Sequence, residues 1–186
     1  MKKSILAIST VLVLTLLSCQ KPIDENKIAS DAVEAYKEKQ TVEADKMKTI
    51  AQQFYNQLSN PNDPQTDALS KNYMDENWVS TPEPIGGAGR VGFVKTLSVF
   101  GAMITDLKWE PQEMLVSGNK IIVRSIATGT PNSEEGHFFG TPTNGTKKFE
   151  IPTIDIHTIE NGKITKSHHV ESWLTAIGQV STTSKQ

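Results

Sequence analysis

Lys147-Lys148-Phe149-Glu150-Ile151-Pro152-Thr153-Ile154-Asp155-Ile156-His157-Thr158-Ile159 runs through Glu160-Asn161-Gly162 into Lys163-Ile164-Thr165-Lys166-Ser167-His168-His169-Val170-Glu171-Ser172. Asn-Gly between two β-rich runs is the strongest short-range hairpin signal a sequence offers. The stretch therefore predicts a long strand over 147–159, a two-residue turn and a final strand over 163–172. Upstream the texture is the same. A strand is expected over 106–117 with an irregularity at Pro111, then a Gly118-Asn119 turn and an Ile- and Val-rich strand over 120–130. A polar loop (131–136), a short extended piece (137–140) and a turn (142–145) follow. Beyond the last strand, 173–180 closes with a helical turn, and 181–186 is a polar tail expected to be disordered.

Helices come before this meander. Met47, Ile50, Ala51, Phe54, Tyr55 and Leu58 fall at helical spacing, and Asn60-Pro61 stops the run. A short helix is expected over 63–71. A strand over 73–80 carries Trp78 and Val79 and ends at Pro82 and Pro84. Phe93, Leu97, Phe100 and Ile104 give a second helix, over 89–103, one buried face. Helices followed by antiparallel strands define an α+β fold rather than the alternating pattern of a parallel sheet. A sheet with one apolar face, curved around helices, makes a cone-shaped barrel with a pocket inside.

The chain has 186 residues, 37% hydrophobic and 22% charged, with a formal charge of −2. Such a composition fits one folded domain and excludes a disordered tail or a multi-span membrane protein. Removing a leader that contains Lys2 and Lys3 takes the charge from −2 to −4. An acidic balance argues against a general nucleic-acid binder. Cys19 is the only cysteine, so no intrachain disulfide or cysteine-ligated metal is available.

That cysteine has a context. Met1-Lys2-Lys3 is a positive n-region, and 5–17 is an apolar stretch too short to span a bilayer comfortably. It ends Leu16-Leu17-Ser18-Cys19, which resembles a bacterial lipobox. The resemblance implies alkylation of the Cys19 thiol, cleavage before it and acylation of its amine. Two or three acyl chains anchor stably where one does not. Gln20 in the next position implies an outer-membrane destination by the same resemblance. Residues 1–18 are thus expected as a lipoprotein signal peptide. Residues 19–42 are expected as a lipidated tether, with a frayed helix as its alternative because Ile28, Ala32, Ala35 and Tyr36 form a thin apolar stripe. The folded domain is expected over 43–180.

Two motifs are declined. Gly87-Ala88-Gly89-Arg90-Val91-Gly92 matches G-x-G-x-x-G. A dinucleotide site needs an apolar strand before it and a parallel strand after the helix; here Pro82 and Pro84 precede and antiparallel strands follow. Arg90 is read as solvated. The four histidines are His137, His157, His168 and His169. The last two are adjacent on a strand and point to opposite faces, so they cannot share one ion, and no metal site is expected.

The segment Gly136-His137-Phe138-Phe139-Gly140-Thr141-Pro142-Thr143-Asn144-Gly145 is followed by Ile154-Asp155-Ile156, then Gly162-Lys163-Ile164, then His168-His169-Val170-Glu171-Ser172-Trp173. In order and spacing this resembles the SnoaL-like polyketide cyclases, or ester cyclases, of the nuclear-transport-factor-2-like superfamily, over about 47–180. The resemblance implies a cone-shaped α+β barrel with a deep pocket and dimerisation through the open sheet face. It also implies ring closure by intramolecular aldol condensation on a polyketide ester, without a cofactor, and hence a small apolar or carbonyl-containing ligand. The family's acid/base aspartate, in H-V-E-D, falls on Ser172 here, a poor base. If the family register holds, His168 faces the pocket beside Ser172 and could serve as base. Glu171 would then stand outside unless the register differs. Asp155 shares a face with His157 on the neighbouring strand, and Arg124 could hold an enolate oxygen.

His168, Ser172, Asp155 and Arg124 are therefore the candidate catalytic residues. Trp78, His137, Phe139 and Glu171 are the candidate ligand contacts. The plainer readings stand beside them: Arg124 as an exposed or paired strand residue, His137 as a loop hydrogen-bonder, Trp78 and Trp109 as core. Two functions follow: an envelope lipoprotein that catalyses proton transfer next to a carbonyl, or a lipoprotein that only binds a small ligand, given Ser172.

Overall fold

The computed structural model describes residues 24–182. The expected signal peptide 1–18, the lipid-bearing Cys19 and residues 183–186 of the expected tail lie outside the described residues. The chain divides into two units, Met1–Glu38 and Lys39–Gln186. In the first, the described residues open helix α1 (Glu25–Leu58), and 26–38 are exposed throughout. The described part of the expected tether is therefore helical. Its Ala, Glu, Lys and Gln content and its lack of Gly and Pro favour that state. Among the described residues no helix is long and apolar enough to cross a membrane.

The second unit continues α1 and adds, in chain order, α2 (Thr66–Tyr73), β1 (Met74–Thr81), α3 (Gly89–Met103), β2 (Lys108–Ser117), β3 (Lys120–Gly129), β4 (His137–Phe138), β5 (Thr141–Pro142), β6 (Phe149–Glu160), β7 (Lys163–Glu171) and α4 (Trp173–Val180). The strands order β1-β7-β6-β3-β2, with β4-β5 as a separate ribbon. Among the described residues only β1 against β7 is parallel; β2-β3, β3-β6 and β6-β7 are antiparallel. Helices before a mostly antiparallel sheet give the α+β class expected.

Alternation builds the core. Phe149, Ile151, Thr153, Asp155, His157 and Ile159 of β6 face inward, and the residues between them face outward. Ile121, Val123 and Ala127 of β3 do the same. Met47, Ala51, Phe54, Tyr55 and Leu58 of α1, with Phe93 and Leu97 of α3, cover that face. Phe54 stacks on Phe93 at 5.1 Å between ring centres. Each such side chain contributes on the order of 2 kcal/mol by burial.

The register shifts in three ladders: in β1–β7 between Met74 and Val79, and in the β2–β3 and β6–β7 pairs. The ladder of β2 shifts between Pro111 and Glu113, where proline has no N–H to give. In β7, Thr158 pairs with Lys166 but Ile159 pairs with Ile164, so Thr165 is one residue too many. This bulge reverses the facing of everything after it. Ile164 faces the core before it; Ser167 faces the core after it, and Lys166 stays in solvent. Asn161 and Gly162 both take positive φ, 51° and 75°, as the hairpin turn requires.

The glycine-rich loop serves packing. A β-carbon on Gly92 would collide with the Gly87 carbonyl oxygen, so only glycine lets the loop lie against α3. Gly92→Ala is expected to lower stability by at least about 2 kcal/mol, seen as a reduced melting temperature. Arg90 is not solvated. Its guanidinium is buried and held by the Asp67 carboxylate at 2.5 Å and by Ser70 Oγ at 3.2 Å, because α2 packs over the start of α3.

Candidate active site

The β6–β7 hairpin sets Asp155 opposite His169, His157 opposite Ser167 and Thr153 opposite Glu171. With the bulge behind them, Ser167, His169 and Glu171 all turn to the side where Asp155 points. There they meet a cavity of about 220 Å³. Its walls are aromatic: Phe54 from α1, Phe93 and Phe100 from α3, Trp78 from β1, Trp109 from β2, and Trp173 from the start of α4. Trp109 Nε1 donates to Thr153 Oγ1 at 3.0 Å, which fixes the indole in the cavity wall. Pro82, Pro84 and Ile85 line the mouth, with Glu83.

The polar groups form a connected set. His169 Nδ1 lies 2.5 Å from Glu171 Oε1. Its Nε2 lies 2.9 Å from Ser80 Oγ and 3.1 Å from the Pro82 carbonyl oxygen. A carboxylate on one side and a carbonyl on the other both ask for a donor, and only the imidazolium offers two. Burial pulls the His169 pKa down, but the Glu171 hydrogen bond and charge, with Asp155 and the Pro82 carbonyl, outweigh it and raise the value. Burial pushes Asp155 up to about 7; the Tyr55 hydrogen bond opposes this, the Glu171 charge adds to it and His169 opposes it. His157, fully buried, is pushed down to about 3 by burial and then by the charge of His169. It is a neutral ring at any ordinary pH. The site thus holds a carboxyl poised near neutrality beside an imidazolium–carboxylate pair, inside an apolar cavity. That is the arrangement of a proton-transfer site.

Of the candidates read from sequence, Asp155, Glu171, Trp78 and Phe139 line this cavity. His168 does not: it is exposed on the outer face of the sheet, because the Thr165 bulge turns His169 inward in its place. Ser172 also stands off the cavity lining, at the N-cap of α4, where its carbonyl accepts from Thr175 and Ala176. Arg124 faces out and pairs with Glu113 at 3.4 Å, since β3 alternates and Val123 and Ser125 hold its inward positions. His137 is exposed and its ring meets the Glu135 carbonyl at 3.2 Å, the loop contact that was its plainer reading. His169, Ser167, Tyr55 and Trp173 belong to the site without having been singled out. The signal for the first two was Lys166. Unbroken alternation from Ile164 would bury that lysine, and the chain avoids this by a bulge.

Asp155, His169 and Glu171 also offer ligand atoms within 4.8 Å of one another. Both ring nitrogens of His169 are already engaged and one oxygen of Asp155 is held by Tyr55, so the donor set is spent on hydrogen bonds. We treat the three as an acid–base group.

Helices on a curved, mostly antiparallel sheet enclosing an acid–base cluster define a nuclear-transport-factor-2-like fold. Residues 49–180 match the SnoaL-like polyketide cyclase family, and the chain belongs to that family. Among solved structures it is similar to a putative polyketide cyclase from Bacillus cereus, at 27% identity and a TM-score of 0.58, covering 72% of this chain and 79% of that one. It is also similar in fold to TsrD from Streptomyces laurentii (19% identity, TM-score 0.62, 72% and 93% covered). A putative SnoaL-like polyketide cyclase from Jannaschia is a third (14% identity, TM-score 0.62, 76% and 95% covered). No curated protein matches the chain. Family membership supports a cofactor-free role of cyclase or isomerase type.

Proposed function

We propose that the protein catalyses proton transfer next to the carbonyl of a small, largely apolar molecule, with Asp155 as the base. The observation that carries this is the Asp155 carboxyl, held near a pKa of about 7 in an aromatic cavity, directly across the β6–β7 ladder from His169. The α C–H bond breaks, its proton passes to the Asp155 carboxylate, and the electron pair moves onto the carbonyl oxygen. The His169 imidazolium, paired with Glu171, supplies positive charge beside that oxygen. In a cyclisation, the enolate carbon bonds to a second carbonyl carbon of the same molecule. The proton held by Asp155 then neutralises the new alkoxide. Seven aromatic rings around the cavity and no Lys or Arg in its lining favour an uncharged substrate face. The test is solvent deuterium incorporation at the α carbon of a panel of uncharged β-keto esters. Exchange above the buffer rate supports the reading. Binding without exchange across the panel replaces it with a ligand-carrier function.

Location is a separate proposal. The sequence ending at Ser18-Cys19 supports a lipid-anchored envelope protein, with the outer membrane favoured by Gln20. Full-length protein expressed in a bacterium should incorporate labelled palmitate and sediment with membranes; Cys19→Ser should lose both. Equal labelling of the variant overturns the anchor.

A further inference from the structure

From Asp155 runs a line of buried polar side chains that the proposed chemistry does not use; its far members, Ser167 and Trp78, also line the cavity wall. Tyr55 Oη is 2.8 Å from Asp155 Oδ2 and 3.1 Å from His157 Nε2. His157 Nδ1 is 2.7 Å from Ser167 Oγ, and Trp78 Nε1 is 2.9 Å from the same oxygen. Tyr55 and His157 are wholly buried and Ser167 nearly so. We propose that Trp78, Ser167, His157 and Tyr55 form a one-way hydrogen-bond chain whose donors all run toward Asp155, making them positioning residues that hold its carboxylate ready as a base. The inference deepens the role given to Asp155 and rests on it for its kinetic consequence, though not for its titration.

The direction follows from proton counting. Tyr55 has one hydroxyl proton, and an ionised carboxylate can only accept. That proton is therefore given to Asp155, and Tyr55 oxygen must receive from His157 Nε2–H. His157 is neutral, so its Nδ1 carries no proton and accepts from Ser167 O–H. Ser167 oxygen accepts from the Trp78 indole N–H, a group that can donate and never accept. Every member is satisfied in this arrangement.

The reverse arrangement fails at the far end. With Asp155 protonated and giving to Tyr55, the phenol would give to His157 Nε2, and Nδ1–H would give to Ser167. Ser167 would then receive two donors and have no acceptor for its own proton among its hydrogen bonds. Trp78 cannot turn round to help. The indole thus pins the polarity of the whole line, and a buried unsatisfied hydroxyl is the cost of inverting it. Because indole N–H cannot pass a proton on, the line is an oriented set of dipoles and not a conduit.

Other groups act on the same carboxyl and must be kept apart. His169 and Glu171 face it from β7, His157 stands two residues along its own strand, and Glu83 lines the cavity mouth. The α3 residues lining the cavity, Phe93, Thr96 and Phe100, carry no titratable group, and Val123 is the β3 partner of Asp155. Tyr55 is thus the neutral donor whose removal changes hydrogen bonding to Asp155 and leaves those charges in place.

The experiment is a carboxyl-carbon NMR titration of Asp155 in the full chain, with Tyr55→Phe, His157→Leu and His157→Gln beside the native protein. Tyr55→Phe should raise the Asp155 midpoint by about one pH unit, and the acid limb of the exchange rate should move by the same amount. His157→Leu should give a smaller rise. His157→Gln should restore the native midpoint, because its amide can give to Tyr55 and accept from Ser167. An unmoved midpoint in Tyr55→Phe overturns the proposal, as does a glutamine variant no better than leucine. Nitrogen NMR of the native protein gives an answer free of any variant: His157 protonated on Nε2 agrees, and protonation on Nδ1 overturns it. If exchange is absent yet these titrations behave as stated, the catalytic reading fails while the chain stands.

Discussion

Asp155→Asn is expected to lower the rate of α-proton exchange by about 10²–10⁴-fold, the usual worth of a positioned general base. The substitution keeps shape and keeps an oxygen for the Tyr55 hydroxyl, so the fold should survive. The buried side chain also loses the charge that burial resists, so stability near pH 7 should hold or rise. A melting curve taken with the rate assay separates loss of chemistry from loss of fold. The native pH profile should carry the same signature. Activity should rise as Asp155 ionises through about pH 7, then fall at higher pH as His169 loses the proton that Glu171 and Asp155 help it keep. Asp155→Asn should abolish the acid limb in whatever activity remains. A loss of less than about fivefold, with an unchanged profile, would place the base elsewhere, and Glu171 would be next in line.

The fold was legible because its signals were local. Asn161-Gly162 marks the hairpin, Pro111 the break in β2, and the Phe93, Leu97, Phe100 spacing a helix that begins and ends as expected, at Gly89 and Met103. The site was only half legible. Asp155 could be placed because β6 alternates without interruption, and its neighbours Ile151 and Phe149 announce the buried face. His169 was misplaced because facing after a bulge depends on one extra residue, Thr165, and the resemblance carried an unbroken register through it. Lys166 held the clue, since a strand does not bury a lone lysine under an aromatic wall. Tyr55 was read only as one tooth of the helix's apolar face. Nothing local distinguishes a tyrosine that packs from one that also gives its hydroxyl to a carboxylate 100 residues away. Such pairings are tertiary facts, and the residue types involved are common in cores for other reasons.

The stability of the protein is expected to depend on two buried groups that oppose each other. Asp155 has its folded pKa raised from 3.8 to about 7. Between those values the folded chain holds a proton that the unfolded chain has lost, so this group's contribution falls as pH rises through the window. His157 has its folded pKa lowered from 6.5 to about 3. There the unfolded chain holds the extra proton, so its contribution rises with pH over nearly the same window. Each displacement corresponds to on the order of 4 kcal/mol. Across pH 4.5–6.5 the two slopes have opposite sign and similar size, so the pair should leave native stability nearly flat. Removing either member exposes the other. His157→Gln should lose roughly 2–3 kcal/mol on going from pH 4.5 to 6.5, and Asp155→Asn should gain about as much. Urea unfolding at the two pH values, fitted with a common slope, reads both directly. Parallel pH dependence in the two variants would mean that their ionisations are not set by burial in this hairpin. Opposite slopes would show that the carboxyl kept neutral by burial and the imidazole kept neutral by burial offset one another, so the fold can carry a base near neutrality without losing stability as pH rises through that window.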